Sequence, residues 1–163
     1  MEDVTVSHLF EQAISWETTA QDLYVGLSKS FPSYPVVEDI WRRMAIDESR
    51  HAAILREAAA ALPPSCLARL LDATEIALVV SVEAEHAGAA ALELRTLDDA
   101  YELAHRLESS EVNTVFQLLI SCHADDLAAN ALLEAQFDEH LDRLGRLAKA
   151  FSRPVRQGIA LQT

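Results

Sequence analysis

The sequence predicts an all-α protein, a bundle of four long helices set as two antiparallel pairs with one long crossover between the pairs. Three observations carry that expectation. Half of the 163 residues are hydrophobic while only 4 are glycine and 5 are proline, a composition suited to long helices and poor in the turns that a β-sandwich needs. Apolar residues recur at three- and four-residue spacing through four long stretches. The breaks between those stretches group them two and two, with the segment 65–97 separating the groups.

The first helix is expected from about Thr5 or Ser7 to Leu27, with Phe10, Ala13, Glu17, Ala20 and Tyr24 along one face. "SKSFPSYP" ends it. A second helix begins near Val37 and stops before "LPPS", where two prolines forbid continuation. The segment 65–97 contains helix-forming sequence, "TEIALVVSVEAEHAGAAALEL", and reads as a crossover with helix of its own. "TLDDAYELAHRLESSEVNTVFQLLI" opens on a Thr96-x-x-Asp99 start signal and carries the third helix to about Cys122. "CHADD" is a tight connection, and a last helix runs from about Asp126 to Phe151. The bundle domain is taken as residues 1–152, with 153–163 as a tail.

Charge and cysteine usage narrow the function. A net charge of -13 repels the phosphates of nucleic acid and anionic membranes and makes metal cations the more natural partners. Only Cys66 and Cys122 are present, so there is no disulfide framework and no thiolate zinc site. The start, "MEDVTVSHLF", lacks a signal-peptide pattern, and "IALVVSV" is too short to span a bilayer, so a cytoplasmic protein is expected.

The stretch "IDESRH" raises the chemical question. The apolar stripe Val37, Ile40, Trp41, Met44, Ala45 continues into Ala52 and Leu55, yet Glu48 and His51 occupy the same face. A carboxylate and an imidazole there need compensation for burial. Helical bundles bind metals through Glu on two helices and Glu-x-x-His on two others, because side chains at i and i+3 emerge together. This chain offers Glu17 on the first helix, Glu48 and His51 on the second, Glu108 on the third and His140 on the fourth. An internal match supports the two-pair arrangement. "SWETTAQDLY" aligns with "RLESSEVNTV", placing Glu17 over Glu108, and nearly the same offset lays His51 over His140. Duplication of a half-bundle would produce this, and so would coincidence in Glu-rich helices.

In the order and spacing of these residues the chain resembles the rubrerythrin-like branch of the ferritin superfamily, whose bundles have two helix pairs joined by a crossover. The resemblance extends to Tyr24, seven residues after Glu17, and to "ESSE", where Glu111 matches a second, mobile carboxylate. It implies one or two iron ions, with manganese or zinc as substitutes, and redox chemistry with peroxide or oxygen. A homodimer and an external electron donor are implied too, since the chain has no C-x-x-C rubredoxin module. One position departs from the pattern. Where the family has a bridging Glu three residues before the last His, this chain has Phe137, with Gln136 beside it as a weaker substitute. That departure supports two other readings, a bundle whose degenerate site leaves it a structural or interaction protein, and iron storage or delivery without turnover.

Glu-x-x-His also occurs at Glu83 and His86 and at Glu102 and His105. The first pair reads as a solvated helix face, and Glu102 lies too far along the axis from Glu108 to share an ion. His105 is one turn before Glu108, which leaves a partner or replacement ligand as its secondary reading, behind a histidine with no part in the site. Tyr24, Trp16, Trp41 and Tyr101 read as core aromatics before redox relays. Restoring the missing carboxylate by Phe137→Glu is expected to raise bound iron toward two per chain, measured by metal analysis of the purified variant; an unchanged iron content in a folded protein contradicts the alignment of the fourth helix.

Overall fold

The structure, a computed structural model, describes residues 4–31, 34–90 and 94–122, with single helical positions at 131, 134, 135, 138, 142 and 145. The expected last helix, 126–151, falls largely outside the described residues, and so do Phe137 and His140.

α1 (Val6–Ser30) and α2 (Pro35–Ala61) form a long helical hairpin. Thr5 caps α1, its hydroxyl accepting from the His8 amide at 3.3 Å. Pro35 stands in the first turn of α2, where its missing N–H costs no hydrogen bond. This is why α2 begins two residues before the expected Val37. A short helix, α3 (Pro64–Leu67), turns the chain toward the start of α1, where the Leu71 amide donates to the Val4 carbonyl at 2.8 Å and the Val6 amide to the Arg69 carbonyl at 3.0 Å.

From that end α4 (Ala73–Ala90) leads to α5 (Leu97–Cys122). Two clusters of apolar side chains fix their directions. Near the start of α1, Val6, Leu9 and Phe10 pack with Leu55 and Leu62 of the α2 end, with Val79 and Val82 of α4 and with Leu119 late in α5. At the other end, Tyr24 and Leu27 pack with Val37 and Trp41 and with Leu97, Ala100 and Ala104 early in α5. So α4 runs along α1 from one end to the other, and α5 returns parallel to α2. The segment 65–97 is therefore a crossover that traverses the bundle and contributes to its core. Each fully buried Leu or Phe in these clusters adds about 1.5–3 kcal/mol of hydrophobic stabilisation.

Both later helices begin with reciprocal caps. Asp72 accepts from the Thr74 and Glu75 amides at 2.8 Å, and Glu75 accepts from the Asp72 amide at 2.8 Å. The Thr96 hydroxyl accepts from the Asp99 amide at 3.1 Å, while Asp99 accepts from the Thr96 amide at 2.8 Å, the exchange that the Thr96-x-x-Asp99 signal implies. The hydrogen bond from Thr96 holds the Asp99 carboxyl below the usual carboxylate value.

His86 corrects an expectation. Glu83 is exposed, as a solvated face requires, but His86 is only 8% exposed and stacks on Trp16 with ring centroids 5.4 Å apart. The stripe Val79, Val82 and His86 has three- and four-residue spacing and turns toward α1, whereas Glu83 lies one residue further around the helix.

Arg69 grips Glu75 with two hydrogen bonds of 3.0 Å, and these hold the Glu75 carboxyl below its ordinary value of 4.5. A carboxylate whose pKa is depressed by folding adds stability above its unfolded value, and that contribution is lost as pH falls through the folded value. Glu75→Gln is expected to destabilise the protein by on the order of 0.5 kcal/mol at pH 7. Urea unfolding of both proteins across pH should show the difference shrinking as pH falls below the carboxylate range; a constant difference would assign it to packing.

Candidate metal centre

Midway along the α1–α2 hairpin three polar side chains are buried together. Glu17 is 2% exposed, and Glu48 and His51 are both 0% exposed. The His51 Nδ1 atom lies 3.1 Å from Glu48 Oε2 and 3.5 Å from Glu17 Oε2. One donor atom from each of the three residues lies within 4.8 Å of the others. Glu48 and His51 meet because they are one turn apart on α2, and Glu17 joins them because α1 runs antiparallel alongside.

Alanines make the space. Ala13 and Ala20 stand one turn either side of Glu17, and Ala45 and Ala52 do the same for Glu48; all four are buried. Small side chains at those positions let two long carboxylates fold into a bundle centre without displacing helices. On α5, Ala100 and Ala104 repeat the pattern one and two turns before Glu108.

Glu108 is 1% exposed, and its Oε1 atom accepts a hydrogen bond from the Tyr24 hydroxyl at 2.9 Å. Its carboxylate is thereby tied to the phenol. Tyr24 in turn stacks on Trp41 with ring centroids 5.8 Å apart and planes 10° apart. The sequence reading took Tyr24 for a family match and Trp41 for a core aromatic. Their two-turn spacing from Glu17 and from Glu48 is the signal for a joint role.

The remaining expected site residues divide clearly. The Glu111 side chain and His140 lie outside the described residues. His105 is exposed, with its ring tilted on Tyr101 at 5.9 Å and its Nδ1 atom 3.5 Å from the Ser109 hydroxyl. It takes no part in the buried group, because one residue's difference in register from Ala104 turns it outward. Glu102 is also exposed. His86, although buried, reaches Trp16 and is not one of the three side chains whose donor atoms meet.

Chemically the group is two carboxylates and one imidazole in a space closed to water. Two carboxylates at this separation cannot both hold unneutralised charge in a dry interior; they share a proton or take a cation. A proton on His51 Nδ1 lets that atom donate to either acid. A metal ion at the same point would satisfy all three at once.

An antiparallel helical hairpin, a traversing crossover and buried carboxylates with imidazole define a ferritin-like bundle. The family model for rubrerythrin matches residues 8–121, and the chain belongs to the rubrerythrin family. Its fold is similar to the crystal structure of a ferritin-like diiron-carboxylate protein from Thermotoga maritima, with a TM-score of 0.70 at 17% identity, covering 94% of this chain and 99% of that one. No curated protein matches the chain in sequence. Among the described residues no helix is long and apolar enough to cross a membrane.

Proposed function

We propose that the protein binds iron through Glu17, Glu48 and His51, with Glu108 as a further carboxylate, and that it carries out non-haem iron redox chemistry with peroxide or oxygen. The buried meeting of two carboxylates and one imidazole is the observation that carries this reading. Two oxygens and one nitrogen form a donor set that iron accepts, as do manganese and zinc. Bound iron would supply electron transfer from the external reductant to the oxidant.

The chain's own residues have separable tasks. Glu17 and Glu48 supply the negative charge that holds a cation in the core, and Glu48 lies nearest to His51. His51 offers Nδ1, the ring atom that faces both acids. The alanines around Glu17 and Glu48 keep room for an ion, while Leu55 and Met44 help exclude water. Glu111 and His140 complete the proposed set as a mobile carboxylate and a second nitrogen. The reductant comes from an external donor, and the working form is a cytoplasmic homodimer in this reading.

Phe137 favours a second reading, in which the bundle keeps its fold and works as a structural or interaction protein. The two are separated by stability. A ligand that binds only the folded form adds about 2.7 kcal/mol at a hundredfold excess over its Kd. For a domain of this size that raises the melting temperature by roughly 5–10 °C. Anaerobic Fe(II) is expected to produce such a rise, and Glu48→Ala is expected to abolish it while leaving the metal-free protein at least as stable, because a repelling carboxylate has gone. A bundle in which Glu48 and His51 only hydrogen-bond each other gives the opposite result, with no response to Fe(II) and a loss of stability on substitution.

A further inference from the structure

We propose that the exposed outer face of α4 is the docking surface for the chain's own C-terminal segment, residues 153–163, seated along Ala77, Leu78, Val80 and Ala84 with Arg153 and Arg156 meeting Glu83 and Glu85. The proposal is independent of the metal-binding reading.

The face is open and apolar. α4 turns Val79, Val82 and His86 inward, while Ala77, Val80, Ala84 and Gly88 recur at three- and four-residue spacing on its opposite side, all of them exposed. Val80 is 55% exposed, and Leu78, at the edge of the face, is 39% exposed. A Cβ placed on Gly88 would meet no atom within 4 Å. In a chain with 24% charged residues this face carries no charge over about three turns. Glu83 and Glu85 stand on its two edges, both exposed, with Glu85 4.0 Å from Arg106. An apolar strip edged by acids suits a segment that is itself apolar and basic.

The C-terminal sequence is such a segment. Residues 143–163, "RLGRLAKAFSRPVRQGIALQT", hold five of the 13 basic residues and none of the 26 acidic ones. The last part, 153–163, lies outside the described residues and combines Arg153 and Arg156 with Val155, Ile159 and Leu161. Pro154 disfavours helix at the residue before it, so the sequence favours an extended strap. Its reach is sufficient, since eleven extended residues span about 36 Å and the 18 residues of α4 span about 27 Å. Its origin fits as well. α5 ends at Cys122 on the side of Val6 and Leu62, and a last helix over 126–151, as the sequence predicts, matches the 26 residues of α5 and would return the chain to the side where α4 finishes. Tethering selects this occupant over a second copy. A flexible tether holds its end at an effective concentration in the millimolar range, so weak contacts suffice. A second copy instead approaches against a net charge of -13 on each chain.

Hydrogen–deuterium exchange and zero-length cross-linking of the full-length chain test the proposal. Reversing the segment's charges with Arg153→Glu and Arg156→Glu is expected to speed exchange of the α4 amides about threefold, as the loss of two exposed ion pairs implies, and to leave α1 and α2 unchanged. Adding Glu83→Arg and Glu85→Arg to that variant should restore the wild-type rate. In a separate variant, Arg153→Lys and Arg156→Lys keep the charge and supply amines for carbodiimide coupling. Peptide mapping of an equal mixture of isotope-labelled and unlabelled protein should then find position 153 or 156 joined to Glu83 or Glu85 within chains of one label. The proposal is overturned if exchange in α4 does not change, if it rises equally in every helix, or if the second pair of substitutions fails to undo the first. Links between labelled and unlabelled chains would assign the face to a second copy and overturn it, as would the absence of any link.

Discussion

Two carboxylates and an imidazole at 0–2% exposure are the constraint around which the α1–α2 hairpin is built. Removing such groups from water costs several kcal/mol per charge unless something of opposite charge meets them. The rest of the hairpin is apolar enough to bear that cost. Above and below the acids the stripe is Trp, Tyr, Phe, Leu and Ala, packed into two clusters toward the ends of the bundle. The polar group sits between them. Alanines one turn from each acid make this possible, because larger neighbours would separate α1 from α2.

The crossover closes the structure on the side that the hairpin leaves open. Pinned to Val4 and Val6 at one end and capped by Thr96 and Asp99 at the other, it carries the chain along α1 so that α5 can return beside Tyr24. The same path places His86 against Trp16, the residue before Glu17. With α5 so placed, its stripe of Ala100, Leu103, Ala104 and Leu107 turns inward and brings Glu108 to the Tyr24 phenol. Buried acids from three helices are thus held in the core, Glu17 and Glu48 with His51 and Glu108 with Tyr24.

Much of this was legible in the sequence. The 3.6-residue period places Glu17, Glu48, His51 and Glu108 on buried faces because burial of their apolar neighbours leaves them no other direction. Thr96-x-x-Asp99 announced the start of α5 through a hydrogen-bond exchange that is local and therefore readable. His86 was not readable. α4 is apolar around most of its circumference, so periodicity alone does not say which stripe faces α1, and the place of Glu83 and His86 in the crossover, beside Glu85 and Gly88, suggested solvent for both. The partnership of Tyr24 with Trp41 and Glu108 was hidden for a related reason. It joins three helices, and its geometry depends on the antiparallel register of α1 and α2 as well as on spacing within each. His105 shows the converse, since one position separates an exposed histidine from the buried Ala104.

The central claim is that the acids of the hairpin exist to hold a metal. Anomalous diffraction at the iron edge, from crystals grown anaerobically with Fe(II), tests it most directly. The account predicts a strong peak inside the bundle at coordination distance from Glu17, Glu48 and His51 Nδ1. A map with no peak there, or with iron only on the acidic outer surface, would contradict it.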